Sequence, residues 1–368
     1  MRVAILGAGG FIGGRIFERW QRPGPYAPRA VVRTSASLAR VARFDTPDWR
    51  LADARDERAL TEAFAGCEVV VHSIVGPERT IIDAVAPVYR AARQTGVRRL
   101  VYLSSASVHG QNPPPGTTEE SPLHLRHVLG YNNAKVEAER RLQTLAASGG
   151  VEVVVLRPGI VWGPRSRWVY DVADALRAGA ATWIDGGRGI CHSVYVDNVV
   201  HAVERAIATP GISREAFFIG DTEPMTWRDL YLGLARPLGF DESAFREALP
   251  APVPRRTWRD RVGAFKGTGF AQRVLVAIPS RVKETVKGAL RGWQGAPPID
   301  GSALPDVSAA LVASLEMTEL FRCSARLSHA KAQRLLGYRP PVSFPQGLDQ
   351  CVRWLAELGY VASAVNRP

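Results

Sequence analysis

Tyr131 and Lys135 lie four residues apart in a segment, 131–147, whose pattern predicts a helix. Residues at that spacing share one helical face, so both side chains point into the same space. A tyrosine phenol has an ordinary pKa of ~10, and a neighbouring ammonium favours the phenolate and lowers that pKa. The pair therefore predicts a general acid and base for a carbinol or carbonyl oxygen. The chain has 5 lysines against 42 arginines, so a lysine at this spacing is not expected by chance.

A cluster of hydroxyl side chains follows the apolar run at 100–103, which predicts a strand. The cluster is Ser104-Ser105-Ala106-Ser107-Val108-His109-Gly110. Ligands of open α/β sheets bind beyond the carboxyl ends of the strands, so a hydroxyl here can hydrogen-bond a substrate oxygen beside Tyr131. We assign that role to Ser105 rather than to Ser104 or Ser107. A turn-stabilising hydroxyl is the competing interpretation for Ser107.

A glycine-rich turn, Gly7-Ala8-Gly9-Gly10-Phe11-Ile12-Gly13, follows a predicted strand and opens a predicted helix. Gly7 permits the tight turn, Gly10 lets the backbone approach phosphates, and Gly13 allows close packing of helix on strand. The helix N-terminus adds free N–H groups and a positive dipole end. The turn predicts a dinucleotide site formed by Gly7, Gly10, Phe11, Ile12 and Gly13. Lys135 is expected to hold the ribose hydroxyls on the nicotinamide side.

The segment after the second predicted strand should meet the other ribose of the cofactor. An acidic residue there would bind the 2′-hydroxyl and favour NAD. The sequence instead has Arg33-Thr34-Ser35, and an arginine with two hydroxyls suits a 2′-phosphate. We therefore predict NADP in preference to NAD. Asp53 is expected at the adenine edge.

Short apolar runs alternate with helical stretches through the first 110 residues. We predict strands at 3–6, 30–32, 69–71 and 100–103, and helices at 11–20, 59–64 and 80–95. This alternation indicates βαβ units and a parallel sheet covered on both faces. The expected fold class is α/β, a doubly wound, Rossmann-like parallel sheet with a smaller C-terminal substrate-binding lobe. We assign 1–160 and 190–220 to the dinucleotide-binding domain, and 161–189 and 221–368 to the lobe.

The composition is that of an ordinary globular protein, with 46% hydrophobic residues. The N-terminus lacks the pattern of a signal peptide, and no run approaches the roughly 20 apolar residues of a membrane span. The four cysteines are far apart and form no C-x-x-C pair, so we expect free thiols, no metal site and a reducing cytoplasmic location.

Further motifs follow in a fixed order along the chain. They are Arg157-Pro158-Gly159-Ile160-Val161-Trp162-Gly163-Pro164, His192-Ser193-Val194-Tyr195-Val196-Asp197-Asn198-Val199, and a Lys-Ala-x-x-x-Leu-Gly-Tyr-x-Pro ending at 331–340. Together with the glycine turn, the serine cluster and the Tyr–Lys pair, they resemble the extended short-chain dehydrogenases/reductases, the NAD-dependent epimerase/dehydratase group. The resemblance covers nearly the whole chain except about 250–315. It implies catalytic roles for Ser105, Tyr131 and Lys135, a cofactor contact at Pro158, and a homodimer.

The departures from this pattern limit the chemistry. Dehydratases of the group carry Asp-Glu directly after the catalytic hydroxyl, where this chain has Ala106 and Ser107, so dehydration is not expected. His109 replaces a usual tyrosine, and the Arg-x-Gly-Asp stretch of many nucleotide-sugar epimerases is not evident around 315–321. The first expectation is an NAD(P)-dependent oxidoreductase or epimerase that moves hydride at a carbinol carbon of a sugar, a nucleotide-sugar in particular. The alternatives are a 3β-hydroxysteroid-dehydrogenase-like or dihydroflavonol-reductase-like oxidoreductase, and a non-catalytic NAD(P)-binding regulatory protein.

The net charge of +12 is concentrated in one segment, 251–292, which holds ten arginines and lysines and two acidic residues. Because the basic character is local, we expect a small-molecule substrate and no nucleic-acid partner. Three interpretations remain for the segment: a solvated face of a lid, a site for substrate phosphates, or a peripheral contact with an anionic membrane.

Overall fold

The computed structural model describes residues 1–44, 47–252 and 311–360. The chain clusters into two units, residues 1–250 with 313–368 and residues 251–312. Nearly all of the basic segment 251–292 lies outside the described residues. The division into a dinucleotide-binding domain and a lobe at the boundaries given above stays a prediction. No helix among the described residues is long and apolar enough to cross a membrane.

Strands begin at the second residue of the chain and recur up to residue 247. They are β1 (Arg2–Leu6), β2 (Ala27–Val32), β3 (Asp48–Leu51), β4 (Val69–His72), β5 (Arg99–Leu103), β6 (Glu152–Pro158), β7 (Ile160–Trp162), β8 (Thr182–Trp183), β9 (Ile190–Cys191), β10 (Ser193–Tyr195), β11 (Ala216–Ile219), β12 (Met225–Thr226) and β13 (Arg246–Glu247).

Helices connect and flank these strands. They are α1 (Phe11–Trp20), α2 (Ser35–Leu38), α3 (Glu57–Phe64), α4 (Glu78–Asp83), α5 (Val85–Gln94), α6 (Gly130–Ala146), α7 (Arg167–Arg177), α8 (Val196–Ala208), α9 (Trp227–Ala235), α10 (Leu315–Phe321), α11 (Ala330–Leu336) and α12 (Phe344–Glu357).

Seven strands form a parallel sheet in the order β3-β2-β1-β4-β5-β6-β11. In the centre, Ile5 of β1 lies opposite Ala30 of β2 and Val71 of β4, and all three are fully buried. Strands buried on both faces are continuous apolar runs, which is why β1 and β4 could be found in the sequence. This is the predicted doubly wound α/β fold.

Apolar side chains on the two faces of the sheet form two separate buried clusters. One face is covered by α1 and α8, through side chains such as Phe17 and Val203. The other face is covered by α3, α5 and α6, through side chains such as Phe64, Val88 and Leu142. The order of the strands reverses between β1 and β4, so the connections after these strands leave toward opposite faces and open a crevice between them.

Two local predictions were wrong. The edge strand β3 was not foreseen because its apolar side chains are exposed, with Trp49 at 39% and Leu51 at 47%, and so show no buried run. The single helix expected at 80–95 is two helices, α4 and α5, that meet at Ala84. Pro87 explains the break because proline has no N–H to donate to the carbonyl four residues earlier.

A buried ion pair fixes α6 to the sheet. Glu139 of α6 accepts from Arg157 of β6 at 2.7 Å, and their side chains are only 3% and 5% exposed. The same guanidinium lies 3.2 Å from the His109 ring and donates to the Glu119 carbonyl at 2.9 Å. His109, the residue that replaces the family tyrosine, is therefore turned toward Arg157.

We predict that Glu139→Ala lowers the free energy of unfolding by about 3 kcal/mol, because it leaves the Arg157 charge buried without its partner. Denaturant unfolding followed by circular dichroism measures the loss. Glu137→Ala is the matched control on the same helix. The carboxylate of Glu137 pairs with Arg141 at the surface, so the expected loss is below about 1 kcal/mol. Equal losses in the two variants would contradict a special role for the buried pair.

Candidate active site

The glycine turn between β1 and α1 has the shape that a dinucleotide site needs. Gly7 has φ +94°, a conformation that favours glycine, and its carbonyl accepts from the Gly10 N–H at 2.9 Å. A Cβ atom on Gly13 would lie 2.4 Å from the Gly7 oxygen, so only glycine lets α1 pack this close to the turn. Gly10 caps α1 without a side-chain hydrogen bond, which leaves backbone N–H groups of the first turn for an anion. The turn therefore fits the pyrophosphate of NAD(P).

The residues after β2 lie beside this turn. Arg33 lines the same cavity as Gly7 and Gly10, and Arg40 donates to the Gly9 carbonyl at 2.7 Å. Asp53 also lines the cavity, but its carboxylate is bound by Arg55 at 2.8 Å. That hydrogen bond is the main reason why the pKa of Asp53 falls to about 2. Arginines therefore lie within reach of the second ribose of a bound cofactor. The aspartate expected at the adenine edge is already paired.

The serine cluster and the start of α6 form the other part of the cavity. Ser105 lies two residues after the end of β5, and its hydroxyl accepts a hydrogen bond from the Ser107 N–H at 3.2 Å. Tyr131, on the first turn of α6, lines the cavity with Ser105, and the Ser105 hydroxyl acts to lower the pKa of Tyr131. The cavity has a volume of about 860 Å³, which is ample for the reacting ends of a cofactor and a substrate.

Three predicted site residues lie behind the cavity wall instead of lining it. Gly13, Lys135 and Pro158 are all buried, and the wall near Pro158 is formed by its neighbours Gly159 and Ile160. The remaining predicted residues line the cavity together: Gly7, Gly10, Phe11, Ile12, Arg33, Asp53, Ser105 and Tyr131.

Burial, and not the charge of Lys135, dominates the pKa of Tyr131 in this structure. The Lys135 ammonium donates to the Leu103 carbonyl at 2.9 Å and lies 6.0 Å from the centre of the Tyr131 ring. Burial dominates and raises the pKa of Tyr131 to about 12, while the Ser105 hydroxyl lowers it and the charge of Glu316 raises it. The strand carbonyl competes for the ammonium, a contact that helical spacing could not reveal.

Several side chains of the cavity were missed in the sequence. They come from β7, α7, β9, α9, α10 and the residue between β9 and β10, and include Ile160, Trp168, Ile190, His192, Trp227, Glu316 and Leu320. Partial burial lowers the pKa of His192 to about 4, and its ring lies 3.4 Å from the Cys323 sulfur. Ile160 and His192 stand in motifs quoted above, but nothing in those motifs indicated a place in the cavity. The other residues belong to no local motif, so only the folded structure brings the set together.

The fold and the site together define a dinucleotide-binding enzyme with a Tyr–Lys pair and a serine hydroxyl. The model of the NAD dependent epimerase/dehydratase family matches residues 3–220, and the chain belongs to this family. It is therefore an enzyme that uses NAD or NADP, and it acts on a small molecule.

Three curated relatives illustrate the range of the family. The chain is 26% identical, over 86% of its length, to 3beta-hydroxysteroid-dehydrogenase/decarboxylase isoform 1 from Arabidopsis thaliana, of which it covers 68%. It covers 50% of the length of isoform 2 from the same plant. It is 29% identical, over 62% of its length, to 4-hydroxy-2-methyl-3-oxo-4-farnesyl-3,4-dihydroquinoline-1-oxide ketoreductase from Stigmatella aurantiaca, of which it covers 70%.

Solved structures show the same fold at lower identity. The dTDP-glucose 4,6-dehydratase from Bacillus anthracis in complex with NAD is similar with a TM-score of 0.70, at 14% identity and 98% coverage of both chains. The UDP-glucose 4-epimerase from Thermotoga maritima has a TM-score of 0.66 at 20% identity, with 97% of this chain and 99% of that chain covered.

We predict that Glu316→Gln moves the alkaline limb of the pH profile for ketone reduction to lower pH by about half a unit to one unit. The charge of Glu316 raises the pKa of Tyr131, so its removal lets the phenol lose its proton at lower pH. Reduction needs the protonated phenol, and the profile of kcat/KM reports the change. Glu319→Gln on the same helix is the control, since Glu319 does not line the cavity. A limb that stays in place would show that Glu316 does not act on Tyr131.

Proposed function

We propose that this enzyme transfers hydride between NAD(P) and the carbinol or carbonyl carbon of an apolar, non-sugar substrate such as a hydroxysteroid. The observation that carries the proposal is the wall built by the chain after residue 159. That wall presents apolar and aromatic groups, among them Ile160, Trp168, Trp227 and Leu320. Such a surface binds a fused-ring or alkyl body by burial of apolar area.

The arginines of this wall are already engaged. Arg165 is paired with Glu18, and Arg167 lies 3.4 Å from Asp171 and over the ring of Trp168. The diphosphate of a nucleotide-sugar would have to break these pairs. The engaged arginines therefore favour a substrate without phosphates, in keeping with the names of the curated relatives above.

The residues of the site would act on the substrate oxygen. In oxidation Tyr131 takes the hydroxyl proton as the carbinol carbon loses hydride, and in reduction it returns the proton to the new alkoxide. Ser105 lies beside Tyr131 and orients the same oxygen by a hydrogen bond. NAD(P), when bound, supplies or accepts the hydride. Lys135 keeps a positive charge behind the site, which favours the phenolate whenever the proton leaves Tyr131.

A nucleotide-sugar epimerase is the second candidate. The cavity is large enough, and Arg165 and Arg167 would become phosphate ligands if their carboxylate partners moved away. The solved structures of similar fold include such enzymes, but at these identities they support the fold alone.

A substrate screen with hydroxysteroids and nucleotide-sugars, in the presence of NAD and NADP, separates the two candidates. For any substrate that is turned over, we predict that Tyr131→Phe lowers kcat by a factor of about 10² or more and leaves cofactor binding intact. Tyr170→Phe, which removes another phenol from the same cavity, is the control and should change kcat little. Unchanged turnover in Tyr131→Phe would refute the catalytic assignment. Cofactor binding without turnover of any compound would favour the regulatory alternative.

We also propose that NADP is preferred to NAD. Arg33 and Arg40 flank the Gly9 turn, and the hydroxyls of Thr34 and Ser37 lie within 3.1 Å of each other beside it. Two cations and two hydroxyls can bind a 2′-phosphate by charge-assisted hydrogen bonds. The acidic residue that would bind a 2′-hydroxyl is missing after β2, where the chain has Arg33, Thr34 and Ser35.

We predict that Arg33→Ala weakens NADP binding about tenfold or more and changes NAD binding little, because only NADP carries the 2′-phosphate. Titration of protein fluorescence with each cofactor measures both affinities. Arg58→Ala is the control, since that exposed arginine pairs with Glu62 on the surface of α3. Tighter binding of NAD than of NADP by the unaltered protein would refute the preference.

Three further proposals rest on the sequence. The enzyme forms a homodimer through α6 and its neighbouring helix, and it works in the cytoplasm. The basic segment 251–292 touches an anionic membrane when the substrate is lipid-like, because its ten cations would be attracted to such a surface.

A further inference from the structure

The Lys135 ammonium is a fully buried charge. Its side chain has no exposed surface, and it donates one hydrogen bond, to the Leu103 carbonyl at 2.9 Å. A lysine has three N–H donors, and a buried cation is costly unless its surroundings compensate the charge. Burial accordingly lowers the pKa of Lys135 to about 8. The groups that keep this side chain charged near neutral pH must lie in contact with it.

The helix that carries Lys135 supplies one carboxylate, and that carboxylate is shared. Glu139 lies one turn along α6 and raises the pKa of Lys135, but its carboxylate is held by Arg157 at 2.7 Å. Tyr131, also on α6, is uncharged at neutral pH, since the ordinary pKa of a phenol is ~10 and burial raises it further. Lys135 forms no salt bridge with any residue in the described parts of the chain.

The neighbouring strands supply a ring face instead. Tyr102 of β5 lies with the centre of its ring 5.2 Å from the Lys135 nitrogen, within the range of a cation–π contact. His72 of β4 packs against Tyr102, at 4.9 Å between ring centres. Burial and, to a smaller extent, the charge of Lys135 together lower the pKa of His72 to about 3, so this ring is neutral. Tyr102 and His72 are each 1% exposed, which holds the tyrosine ring in place.

We propose that Tyr102 is a positioning residue, whose ring face holds the buried Lys135 ammonium in its charged state behind Tyr131. The ring acts through its negative face, since the Tyr102 hydroxyl is buried without a hydrogen-bond partner among the described residues. Phenylalanine at this position would keep the aromatic face and lose only the hydroxyl, which forms no hydrogen bond among the described residues. An aliphatic residue would keep the apolar packing and lose the face.

The scarcity of lysine makes a direct test practical. With lysine labelled at Cε with carbon-13, the full chain gives five Cε signals, and the variant Lys135→Arg identifies the one from residue 135. Nuclear magnetic resonance then follows the titration of Lys135 without any substrate. The outcome is independent of the proposed function, so a failure of the substrate screen leaves this test standing.

We predict that Tyr102→Leu lowers the pKa of Lys135 by about one unit, because the cation–π contact of a desolvated ammonium is lost. Tyr102→Phe is the matched control and should leave the pKa within a few tenths of a unit of the unaltered protein. If Tyr102→Leu does not fold, phenylalanines with increasing numbers of ring fluorines at position 102 replace it. They weaken the face at nearly constant shape, and the pKa should fall with each fluorine. Equal pKa values in the leucine or fluorinated variants and in Tyr102→Phe would overturn the proposal.

The pH profile of activity gives a second readout that rests on the proposed function. When Lys135 loses its charge, the support for the Tyr131 phenolate is lost, so oxidation should decline as pH rises through the pKa of Lys135. Tyr102→Leu should bring that decline to lower pH by the same interval as in the resonance titration. If the pKa of Lys135 falls in the resonance titration but the decline in oxidation stays at the same pH, then Tyr102 positions Lys135 and the charge of Lys135 does not limit catalysis.

Discussion

The arrangement of the site depends on how α6 is attached to the sheet. Two charged side chains of this helix, Lys135 and Glu139, point inward and are buried against β5 and β6. Buried charges are tolerated only where partners meet them at close range, so these contacts allow little variation in the position of the helix. Tyr131, one turn before Lys135, is thereby held beside Ser105. The polar contacts under the helix thus determine where the phenol lies.

Burial of the catalytic groups opposes the charged states that the chemistry of this cavity needs. The apolar surroundings that bind a substrate also disfavour the phenolate of Tyr131 and the ammonium of Lys135, and both pKa values move in the direction that weakens the pair. The Ser105 hydroxyl and the Tyr102 ring act in the other direction. The ionisation of the pair is therefore set by a balance between desolvation, which acts on both groups, and two short-range contacts from β5 and the residues that follow it.

Much of this could be predicted from the sequence, for reasons that differ between elements. The glycine turn and the Tyr–Lys spacing are local patterns, so they indicated the cofactor turn and the helical face directly. The central strands could be found because they are buried runs of apolar residues. The strand β3 could not be found in this way, since its apolar side chains are exposed and alternate with charged ones. The contact between Lys135 and the Leu103 carbonyl depends on two segments 32 residues apart, which no spacing rule describes. Glu316 and Trp227 reach the cavity from still more distant elements.

The order in which the chain supplies the cavity has a consequence for divergence among relatives. Gly7, Arg33 and Asp53, at the cofactor end, come from the first third of the chain, whereas Trp227 and Leu320 come from α9 and α10. The two ends of the cavity are thus encoded in separate stretches of the gene. Mutation or recombination in the later stretch can change which substrate is accepted, while the hydride chemistry is inherited unaltered. In this way a single ancestral dehydrogenase can give rise to enzymes with unrelated substrates.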